Sequence, residues 1–252
     1  MRLALLAIPA VRSALSLELG RQIEYHATIG STQDRARELA AAGSSSALVV
    51  ADEQTAGRGT KGRVWEAPAG TSLLASWLFR PAPADAALFV LVAAVAMARA
   101  LERLGVRDAR LKWPNDVELD RRKVAGALAH ATTDGQVGSL VLGIGVNVHQ
   151  RAEDLSAELR ATATSLAIAG HQVDRLSLLV ALTRELDRVT AAGERPAALD
   201  EWRKRATVLG RTVEVVRDGR PPLRGIARDV GADGALVVGT ERVLAGEVRI
   251  LA

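Results

Sequence analysis

The chain of 252 residues contains no cysteine, so disulfides, thiolate metal ligands and cysteine nucleophiles are excluded. Histidine is scarce as well, since only His26, His130, His149 and His171 occur and they lie far apart. They form no H-x-x-x-H or H-E-x-x-H pair, the spacings that a zinc hydrolase would need. We therefore predict no dedicated metal site.

Clustered positive charge is also missing. The pI is about 10.1, yet the formal net charge is only +4. Four lysines leave 29 arginines among the 33 basic residues, and these are scattered among 29 acidic residues. A nucleic-acid surface needs a clustered basic face, whereas scattered arginine indicates a solvated surface. DNA binding is not expected.

Long hydrophobic runs are absent too. The apolar stretch 86–98 is too short to cross a bilayer and is followed by Arg99. The N-terminal MRLALLAIPAV is interrupted by Pro9 and followed by Arg12, with no A-x-A cleavage site, so a secretory signal is not expected. With 48% apolar and 25% charged residues, the composition is that of an ordinary globular protein. We expect a cytoplasmic protein without membrane association.

Capping residues and apolar periodicity predict both helices and strands. Ser31 is a suitable N-cap for a helix that carries Asp34 in its first turn and ends at Gly43. A long helix is expected to stop at Gly105, and a polar turn over 120–122 is expected to join two strands. The predicted strands cover 47–51, 71–78, 116–119, 124–131 and 139–148, and further helices cover 84–104, 175–191 and 196–206.

From Gly210 onward the pattern changes to short alternating strands, predicted over 212–216, 223–229, 235–238 and 247–251. A tail of this kind is typical of a small β barrel. We therefore predict two domains, which cover residues 1–205 and 206–252.

The stretch GRGTKG, residues 57–62, spells G-x-G-x-x-G. A dinucleotide fingerprint needs a helix directly after the glycines, but the following RVWEAPAGTSLL contains Pro68 and strand-forming residues. Val64 completes a kinase-like pattern, yet the chain has no H-R-D and no D-F-G. Gly62 is followed by arginine and not by the K-[ST] of a Walker loop. All three classes of nucleotide loop are excluded.

This loop instead presents Arg58, Lys61 and Arg63 among backbone N–H groups, a donor set that suits a phosphate or a carboxylate. The alternative is a solvent-exposed glycine loop with incidental charges. Lysine usage favours the anion site, because Lys61, Lys112 and Lys123 are three of only four lysines. An ammonium is a compact point charge that arginine does not replace, although these lysines could also have been retained by chance.

Two further segments are unusual. KWPND, residues 112–116, presents an amide and a carboxylate at the start of a strand, on a backbone that proline restricts. In GIGVNV, residues 143–148, Gly143 and Gly145 lie on one face of a predicted strand, so that another group can approach the sheet. The alternatives are a structural turn in which Asp116 caps local amides and close packing of the strand.

Taken in order, these segments resemble the motifs of the biotin–protein ligases, namely S-T, Q-T-A-G-R-G-x-x-G-R-x-W, K-W-P-N-D, R-K-x-A-G, G-I-G-x-N-V and A-T-S-L. Here they lie at residues 31–32, 54–65, 112–116, 122–126, 143–148 and 163–166. The resemblance covers nearly the whole chain beyond residue 25. It implies an α+β fold, with a mixed-sheet catalytic domain of the class II aminoacyl-tRNA-synthetase and biotin-ligase type. Residues 202–250 resemble the family's small C-terminal SH3-like β barrel.

The resemblance implies a two-step reaction. The carboxylate of biotin attacks the α-phosphate of ATP, which releases pyrophosphate and leaves biotinyl-5′-AMP. A lysine of an acceptor protein then displaces AMP. The implied acceptor is the biotin carboxyl carrier domain of a biotin-dependent carboxylase, and the implied Mg²⁺ is held mainly by the triphosphate.

The resemblance also implies roles for single residues. Lys123 bridges the biotin carboxylate and the α-phosphate, and Arg58 and Asp116 are the other catalytic residues. Asp116 orients the neighbouring cations and helps to set up the acceptor lysine. The residues implied to bind biotin are Ser31, Thr32, Gln33, Gln54, Gly57, Arg58, Gly59, Lys123, Gly126, Gly143 and Gly145. Those implied to bind ATP, with Trp65 near the adenine, are Arg58, Thr60, Lys61, Arg63, Trp65, Lys112, Asn115, Lys123 and Asn147.

Two positions depart from the family pattern. Gln33 stands where the family often has asparagine, and it can form similar hydrogen bonds from a longer side chain. Thr60 stands where the family usually has arginine, which is thought to help close the loop over the adenylate. We expect a looser lid and more escape of biotinyl-AMP, unless Lys61 compensates.

Three other functions are weighed against this one. Some biotin ligases also repress transcription, but the 30 residues before Ser31 are too few for a winged helix-turn-helix domain. A lipoyl or octanoyl ligase would share the fold and the adenylate chemistry, although G-R-G-x-x-G-R-x-W together with K-W-P-N-D favours biotin. A non-catalytic binding module would not need Arg58, Lys112 and Lys123 together. A homodimer through the central sheet is compatible with the resemblance and is not indicated by the sequence.

Overall fold

The computed structural model of the protein describes residues 6–80, 82, 86–132, 138–191 and 193–251. The helices in these ranges are α1 (Pro9–Glu18), α2 (Thr32–Ala41), α3 (Ala86–Arg103), α4 (Ala157–Arg160), α5 (Arg175–Thr190) and α6 (Arg195–Arg205). The strands of the first sheet are β1 (Gln22–Ile29), β2 (Ser46–Gln54), β3 (Ser72–Phe79), β4 (Arg110–Lys112), β5 (Asp116–Leu119), β6 (Arg122–Thr132) and β7 (Ser139–Asn147). Those of the second sheet are β8 (Thr212–Arg217), β9 (Arg220–Val230), β10 (Leu236–Val238), β11 (Glu241–Val243) and β12 (Glu247–Ile250).

The first sheet is mixed and has the order β1-β2-β3-β7-β6-β5-β4. β1 and β2 are parallel, and the other neighbours are antiparallel. Helices α3 and α5 cover one face, where α3 is apolar on nearly every side and is buried in the main core. Helix α2 covers the other face, with Ala36 and Leu39 packed near Val49, Leu78 and Val141. The part of this face that α2 leaves uncovered holds the site described below.

The second sheet is antiparallel, with the order β11-β10-β9-β8-β12. It contacts the first unit near KWPND, where the indole N–H of Trp113 donates to the carbonyl oxygen of Gly234 at 3.0 Å. A Cβ at Gly246 would lie 3.8 Å from the same ring, and Leu111 forms a parallel bridge with Ala206. The C-terminal sheet is therefore seated beside one end of the larger sheet.

The predicted fold class is confirmed, because a mixed α+β unit is followed by a small β unit. The structure contains the predicted elements with shifts of a few residues at their ends. Residues 84 and 85 of the helix predicted over 84–104 lie outside the described residues. Ser31 caps α2 by accepting from the N–H of Asp34 at 3.4 Å, and Gly105 follows α3 with a φ of 88°. The turn after β5 places Asp120 and Arg121 at φ values of 49° and 62°. Elements that local pattern does not predict are α1, β1, β4, α4 and β11.

Candidate active site

Strand register places the central residues of the site in one row across the first sheet. Gly145 of β7 lies opposite Leu74 of β3 on one side and opposite Gly126 of β6 on the other. Gly126 lies opposite Asp116 of β5, which in turn lies opposite Lys112 of β4. Paired residues share one face of a sheet. The row therefore offers two positions without a side chain, followed by a carboxylate and an ammonium.

Lys123 is aimed back over this row. Its Nζ lies 2.6 Å from Oδ1 of Asp116. The pairing of β5 with β6 shifts register at Glu118, which leaves Val124 as an extra residue on β6, and bulges of this kind re-aim side chains. A Cβ at Gly126 would lie 3.0 Å from both Cε and Nζ of Lys123. Glycine at position 126 thus makes room for the lysine side chain.

The backbone of Lys123 is held by a distant segment of the chain. Its N–H donates to the carbonyl oxygen of Thr162 and its own carbonyl oxygen accepts from the N–H of Thr164, both at 2.8 Å. The carbonyl oxygen of Thr164 accepts from Nδ2 of Asn147 at 3.0 Å, and Oδ1 of Asn147 accepts from Gln150 at 2.9 Å. The A-T-S-L motif therefore positions the lysine.

Neutral polar groups that fix one another line one end of the cavity. Oε1 of Gln54 accepts from the backbone N–H and the hydroxyl of Thr32, at 2.8 and 3.0 Å. The same hydroxyl lies 2.9 Å from that of Ser76. Nε2 of Gln33 donates to the carbonyl oxygen of Leu128 at 3.0 Å. Donors and acceptors fixed in this way suit an uncharged hydrogen-bonding group of one shape.

Trp65 covers the centre of the row. A Cβ at Gly145 would lie 2.6 Å from Cε2 of this ring, so only glycine permits the close approach. Nζ of Lys123 lies 5.6 Å from the ring centroid, within range of a cation–π contact. The indole N–H is buried and has no hydrogen-bond partner among the described residues. A buried donor of this kind is available to a bound group.

These residues enclose a cavity of about 50 Å³ that adjoins a cleft of about 570 Å³. Thr60, Asn115 and Lys123 line both spaces. The cleft lies between the glycine loop, KWPND and the C-terminal sheet, and its walls are rich in basic side chains. Those side chains belong to Lys61, Arg63, Lys112, Lys123, Arg217, Arg220 and Arg242. A cavity whose polar groups are mostly neutral, apart from Arg58 and Lys123, therefore joins a cationic cleft, with Lys123 at the junction.

The glycine loop is a tight turn and not the start of an α-helix, which confirms the exclusion of a dinucleotide fingerprint. Residues Thr60–Gly62 form one 3-10 turn, in which Lys61 and Gly62 have φ values of 57° and 72°. The N–H of Gly59 donates to the carbonyl oxygen of Arg63 at 2.7 Å. A Cβ at Gly57 would lie 2.3 Å from the carbonyl oxygen of Trp65, so this position also requires glycine.

The three cations of the loop do not project alone among bare amides, as the sequence pattern suggests. Each forms an ion pair with a carboxylate that is distant in sequence. The pairs are Arg58 with Asp34 at 2.8 Å, Lys61 with Asp218 at 3.3 Å and Arg63 with Glu247 at 2.8 Å. The positive charge of the loop is therefore partly neutralised in this structure.

Three further predicted residues differ in position, since Lys112 and Asn115 line the cleft and Asn147 does not. Nζ of Lys112 lies 3.6 Å from Oε1 of Glu118 and faces the cleft. Nδ2 of Asn115 donates to the carbonyl oxygen of Ala127 at 2.8 Å. This hydrogen bond uses the amide nitrogen of Asn115 and not its side-chain oxygen. Asn147 is not among the residues that line either space. Its contact with a nucleotide stays a prediction. Its hydrogen bonds with Thr164 and Gln150 give it a structural role.

Three hydrogen-bonded polar side chains support β2, the strand that carries Gln54. The hydroxyl of Tyr25 on β1 donates to Oδ2 of Asp52 on β2 at 2.6 Å, and Arg175 of α5 donates to Oδ1 at 2.7 Å. Burial, together with the hydrogen bond to Asp52, raises the pKa of Tyr25 to about 12. The phenol therefore stays protonated at neutral pH and acts as a permanent donor that ties β1 to β2.

Several residues of the site carry no local sequence signal. Ser76 and Leu128 line the cavity, and Asp34 pairs with Arg58. For Ser76 the sequence offers one signal, because it is a polar residue within a predicted strand whose other residues are mostly apolar. Within the described ranges, no group of three or more His, Asp or Glu side chains could hold a metal ion. No described helix is long and apolar enough to cross a membrane.

Comparisons with known proteins assign this arrangement to a class. The model of the biotin/lipoate A/B protein ligase family matches residues 25–147. The biotin protein ligase from Aquifex aeolicus, solved in complex with biotin and ATP, aligns with a TM-score of 0.78. Identity in that alignment is 26%, and it covers 91% of this chain and 98% of that chain. The chain is therefore similar in sequence to the biotin/lipoate A/B protein ligase family and in fold to a biotin protein ligase.

Relatives in sequence narrow the class. The chain is 36% identical over 219 residues to the biotin–[acetyl-CoA-carboxylase] ligase of Paracoccus denitrificans, which covers 82% of this chain and 90% of that protein. It is 37% identical over 178 residues to the bifunctional ligase/repressor BirA of Bacillus subtilis, with 67% of this chain covered. This match spans only 54% of the length of BirA. The chain belongs to the biotin–protein ligase family.

Proposed function

We propose that this chain activates biotin with ATP to biotinyl-5′-AMP and transfers the biotinyl group to a lysine of a carrier domain. The observation that carries the proposal is the position of Lys123. Its ammonium stands at the junction of a hydrogen-bonding cavity and a cationic cleft, paired with Asp116 at 2.6 Å. A reaction that joins a carboxylate to a phosphate needs a cation at the place where both anions meet.

In the first step the cavity takes the bicycle of biotin and the cleft takes the triphosphate. Thr32 and Gln54 offer hydrogen bonds to the ureido ring, and the fused rings lie over the backbone at Gly143, beside the ring of Trp65 that packs on Gly145. Lys123 binds the biotin carboxylate and the α-phosphate together, which offsets their repulsion and orients the attack. The new bond joins a carboxylate oxygen to phosphorus, and pyrophosphate leaves.

The basic side chains of the cleft stabilise the charge that develops on the phosphates. In this proposal Arg58, which lines the cavity, and Arg63 turn to phosphate oxygens while ATP is bound, and Arg63 pairs with Glu247 again once pyrophosphate has left. Lys112 and Asn115 face the nucleotide. Trp65 closes the site beside the mixed anhydride and protects it from water. Mg²⁺ fits this site as an ion that the triphosphate holds, because the described residues offer it no carboxylate cluster.

In the second step the amine of the acceptor lysine attacks the carbonyl carbon of the adenylate. An amide forms and AMP leaves. Asp116 is placed to accept the proton of the incoming ammonium, since its carboxylate faces Lys123 at the mouth of the cleft. We propose the biotin carboxyl carrier domain of a biotin-dependent carboxylase as the acceptor. A relative, the biotin–[acetyl-CoA-carboxylase] ligase of Paracoccus denitrificans, is named for an acceptor of this kind, which supports the choice.

A lipoyl or octanoyl ligase is the second candidate, since the matching family model covers both kinds of enzyme. Lipoate and octanoate end in an apolar ring or chain, whereas this cavity ends in the hydroxyls and amides of Thr32, Gln33, Gln54 and Ser76. An apolar tail would not use the donors and acceptors that these groups have left after their mutual hydrogen bonds, whereas the ureido ring of biotin would. The polar end of the cavity therefore favours biotin.

The division into residues 1–205 for catalysis and 206–252 for an SH3-like domain is also part of the proposal, as is a cytoplasmic location. The order of the elements supports the boundary, because all strands of the first sheet precede α6 and all strands of the second sheet follow it. The absence of DNA binding and of membrane association, and a homodimer through the central sheet, stay predictions.

Transfer of biotin to an isolated carrier domain tests the proposed function. The chain, ATP, Mg²⁺ and biotin should add one biotinyl group to the carrier domain, detected as a mass increase of the intact domain. A carrier domain with arginine in place of its acceptor lysine is the control and should stay unmodified. Modification of a lipoyl domain with lipoate, and none of the carrier domain with biotin, would contradict the proposal.

A further inference from the structure

The tip of the glycine loop is attached to the C-terminal sheet. Nζ of Lys61 lies 3.3 Å from Oδ1 of Asp218 and donates to the carbonyl oxygen of Val216 at 3.3 Å. Nη2 of Arg63 lies 2.8 Å from Oε2 of Glu247. Val216 and Glu247 are paired residues on the neighbouring strands β8 and β12. Two cations of the loop thus reach across the cleft to one point on the second sheet.

Packing contributes little to the position of this loop. No side chain between Arg58 and Val64 is buried, and Val64 is 62% exposed. The backbone contacts of the tip, from Gly59 to Arg63 and between Arg58 and Val64, lie within the loop itself. Segments with few buried apolar contacts open at a low free-energy cost. The position of the tip over the cleft therefore depends on its ion pairs.

We propose that Asp218 and Glu247 are positioning residues, which anchor the glycine loop through Lys61 and Arg63 and so slow the escape of the adenylate. The inference rests on the proposed function, because it concerns the lifetime of biotinyl-5′-AMP in the site. It assigns to the C-terminal sheet a part in closing the site. Neither carboxylate needs to touch the substrate for this role.

A different role for the same carboxylates predicts the opposite result. If Asp218 and Glu247 only neutralised the loop cations, their removal would free Lys61 and Arg63 for the phosphates of ATP. The KM for ATP would then fall, and the rate of adenylate release would not change. If they anchor the loop, their removal leaves the loop open more often, so that release becomes faster. The two roles therefore differ in which constant changes.

The test uses Asp218→Asn, Glu247→Gln and the double variant, in the full chain. Glu214→Gln is the matched control, because Glu214 lies on β8 and pairs with Arg224 inside the C-terminal sheet. Hydrogen exchange of residues 57–65 is measured first, in the protein without ligands. We expect faster exchange in this segment for the variants, most of all for the double variant, and no change for the control.

The second measurement is the release rate of biotinyl-5′-AMP formed in the site. Each single variant should release it roughly two- to fivefold faster, as expected for the loss of one exposed ion pair. Added salt screens exposed charges, so it should accelerate release from the native chain and change release from the double variant much less. A general loss of stability would not remove this salt dependence.

The outcomes separate this inference from the proposed function. Unchanged exchange of residues 57–65 in the double variant would overturn the anchor, even where biotin is activated normally. A lower KM for ATP with an unchanged release rate would also overturn it. Faster exchange in a chain that forms no adenylate from biotin would support the anchoring contacts and would contradict the proposed function alone.

Discussion

The two ends of the candidate site are built in different ways. At the cavity end, Thr32, Gln54 and Ser76 are fixed by hydrogen bonds to one another, on a helix start and on strands of the central sheet. At the cleft end, Lys61 and Arg63 lie on the glycine loop and pair with carboxylates of the C-terminal unit. The side chain of Arg63 is 58% exposed and that of Asp218 is 85% exposed.

This difference matches what each end has to bind. An uncharged ring is recognised by donors and acceptors that already hold the correct positions, so that binding requires little rearrangement. A triphosphate carries several charges, and movable cations can exchange carboxylate partners for phosphate oxygens. In the proposed function, specificity for the acid therefore comes from the first sheet, whereas the loop and the C-terminal sheet supply charge and closure. Lys123 belongs to both ends.

The largest expected effect tests that junction. Lys123→Ala should nearly abolish adenylate formation, by about 10²–10³-fold or more, because it removes a cation that acts at the developing charge. The measurement is biotin-dependent release of pyrophosphate from ATP. Lys204→Ala is the control, since the fourth lysine lies exposed on α6. Near-native release by the Lys123 variant would rule out this role for the lysine.

A smaller effect is expected at the cavity end. Gly145→Ala places a Cβ 2.6 Å from the ring of Trp65, so that the ring must move into the space for biotin. Overpacking typically costs about 1–3 kcal/mol, and we expect biotin binding to weaken about tenfold or more by calorimetry. Gly193→Ala is the control, because a Cβ there meets nothing within 4 Å. Native affinity in the Gly145 variant would show that the cavity is less rigid than described.

At the cleft end, Thr60→Arg should slow the release of biotinyl-5′-AMP. Thr60 lines both the cavity and the cleft, so an arginine there can reach the adenylate. One added charged hydrogen bond supports a change of roughly three- to tenfold. The release rate is measured in a chase with unlabelled biotin. Equal release rates in the native chain and the variant would refute the idea that this loop forms a loose lid.

The smallest expected effect compares the two ends directly. Added salt should raise the KM for ATP more than it weakens the binding of biotin, because exposed ion contacts are screened and buried neutral hydrogen bonds are not. Both constants are measured over the same range of sodium chloride. The same salt dependence for both ligands would remove the distinction between the two ends.

Local sequence signals predict the parts of the fold that depend on them. The cap at Ser31, the stop at Gly105 and the turn at Asp120 and Arg121 all lie where the sequence indicates. Strand β1 is not predicted, because QIEYHATI mixes polar and apolar residues and its parallel pairing with β2 is not visible in a local pattern. Strands β4 and β11, of three residues each, are too short to produce a pattern.

The site shows the same limit. Motifs and family resemblance identify Lys123, Asp116 and the glycines that surround them. They do not indicate that Thr162 and Thr164 hold the backbone of Lys123, because these contacts are long-range. Nor do they indicate the carboxylate partners of the loop cations, because Asp34 lies on α2 and Asp218 and Glu247 belong to the C-terminal unit. Long-range pairing of this kind becomes apparent only once the chain is folded.

The most direct test of the account is the acid specificity of the first half-reaction. Pyrophosphate release from ATP is measured with biotin, lipoate or octanoate, in the absence of any acceptor protein. The account predicts release with biotin and little with the other two acids, because the closed end of the cavity is polar. Release with lipoate or octanoate in place of biotin would contradict the assigned substrate, and no release with any acid would contradict the assigned chemistry.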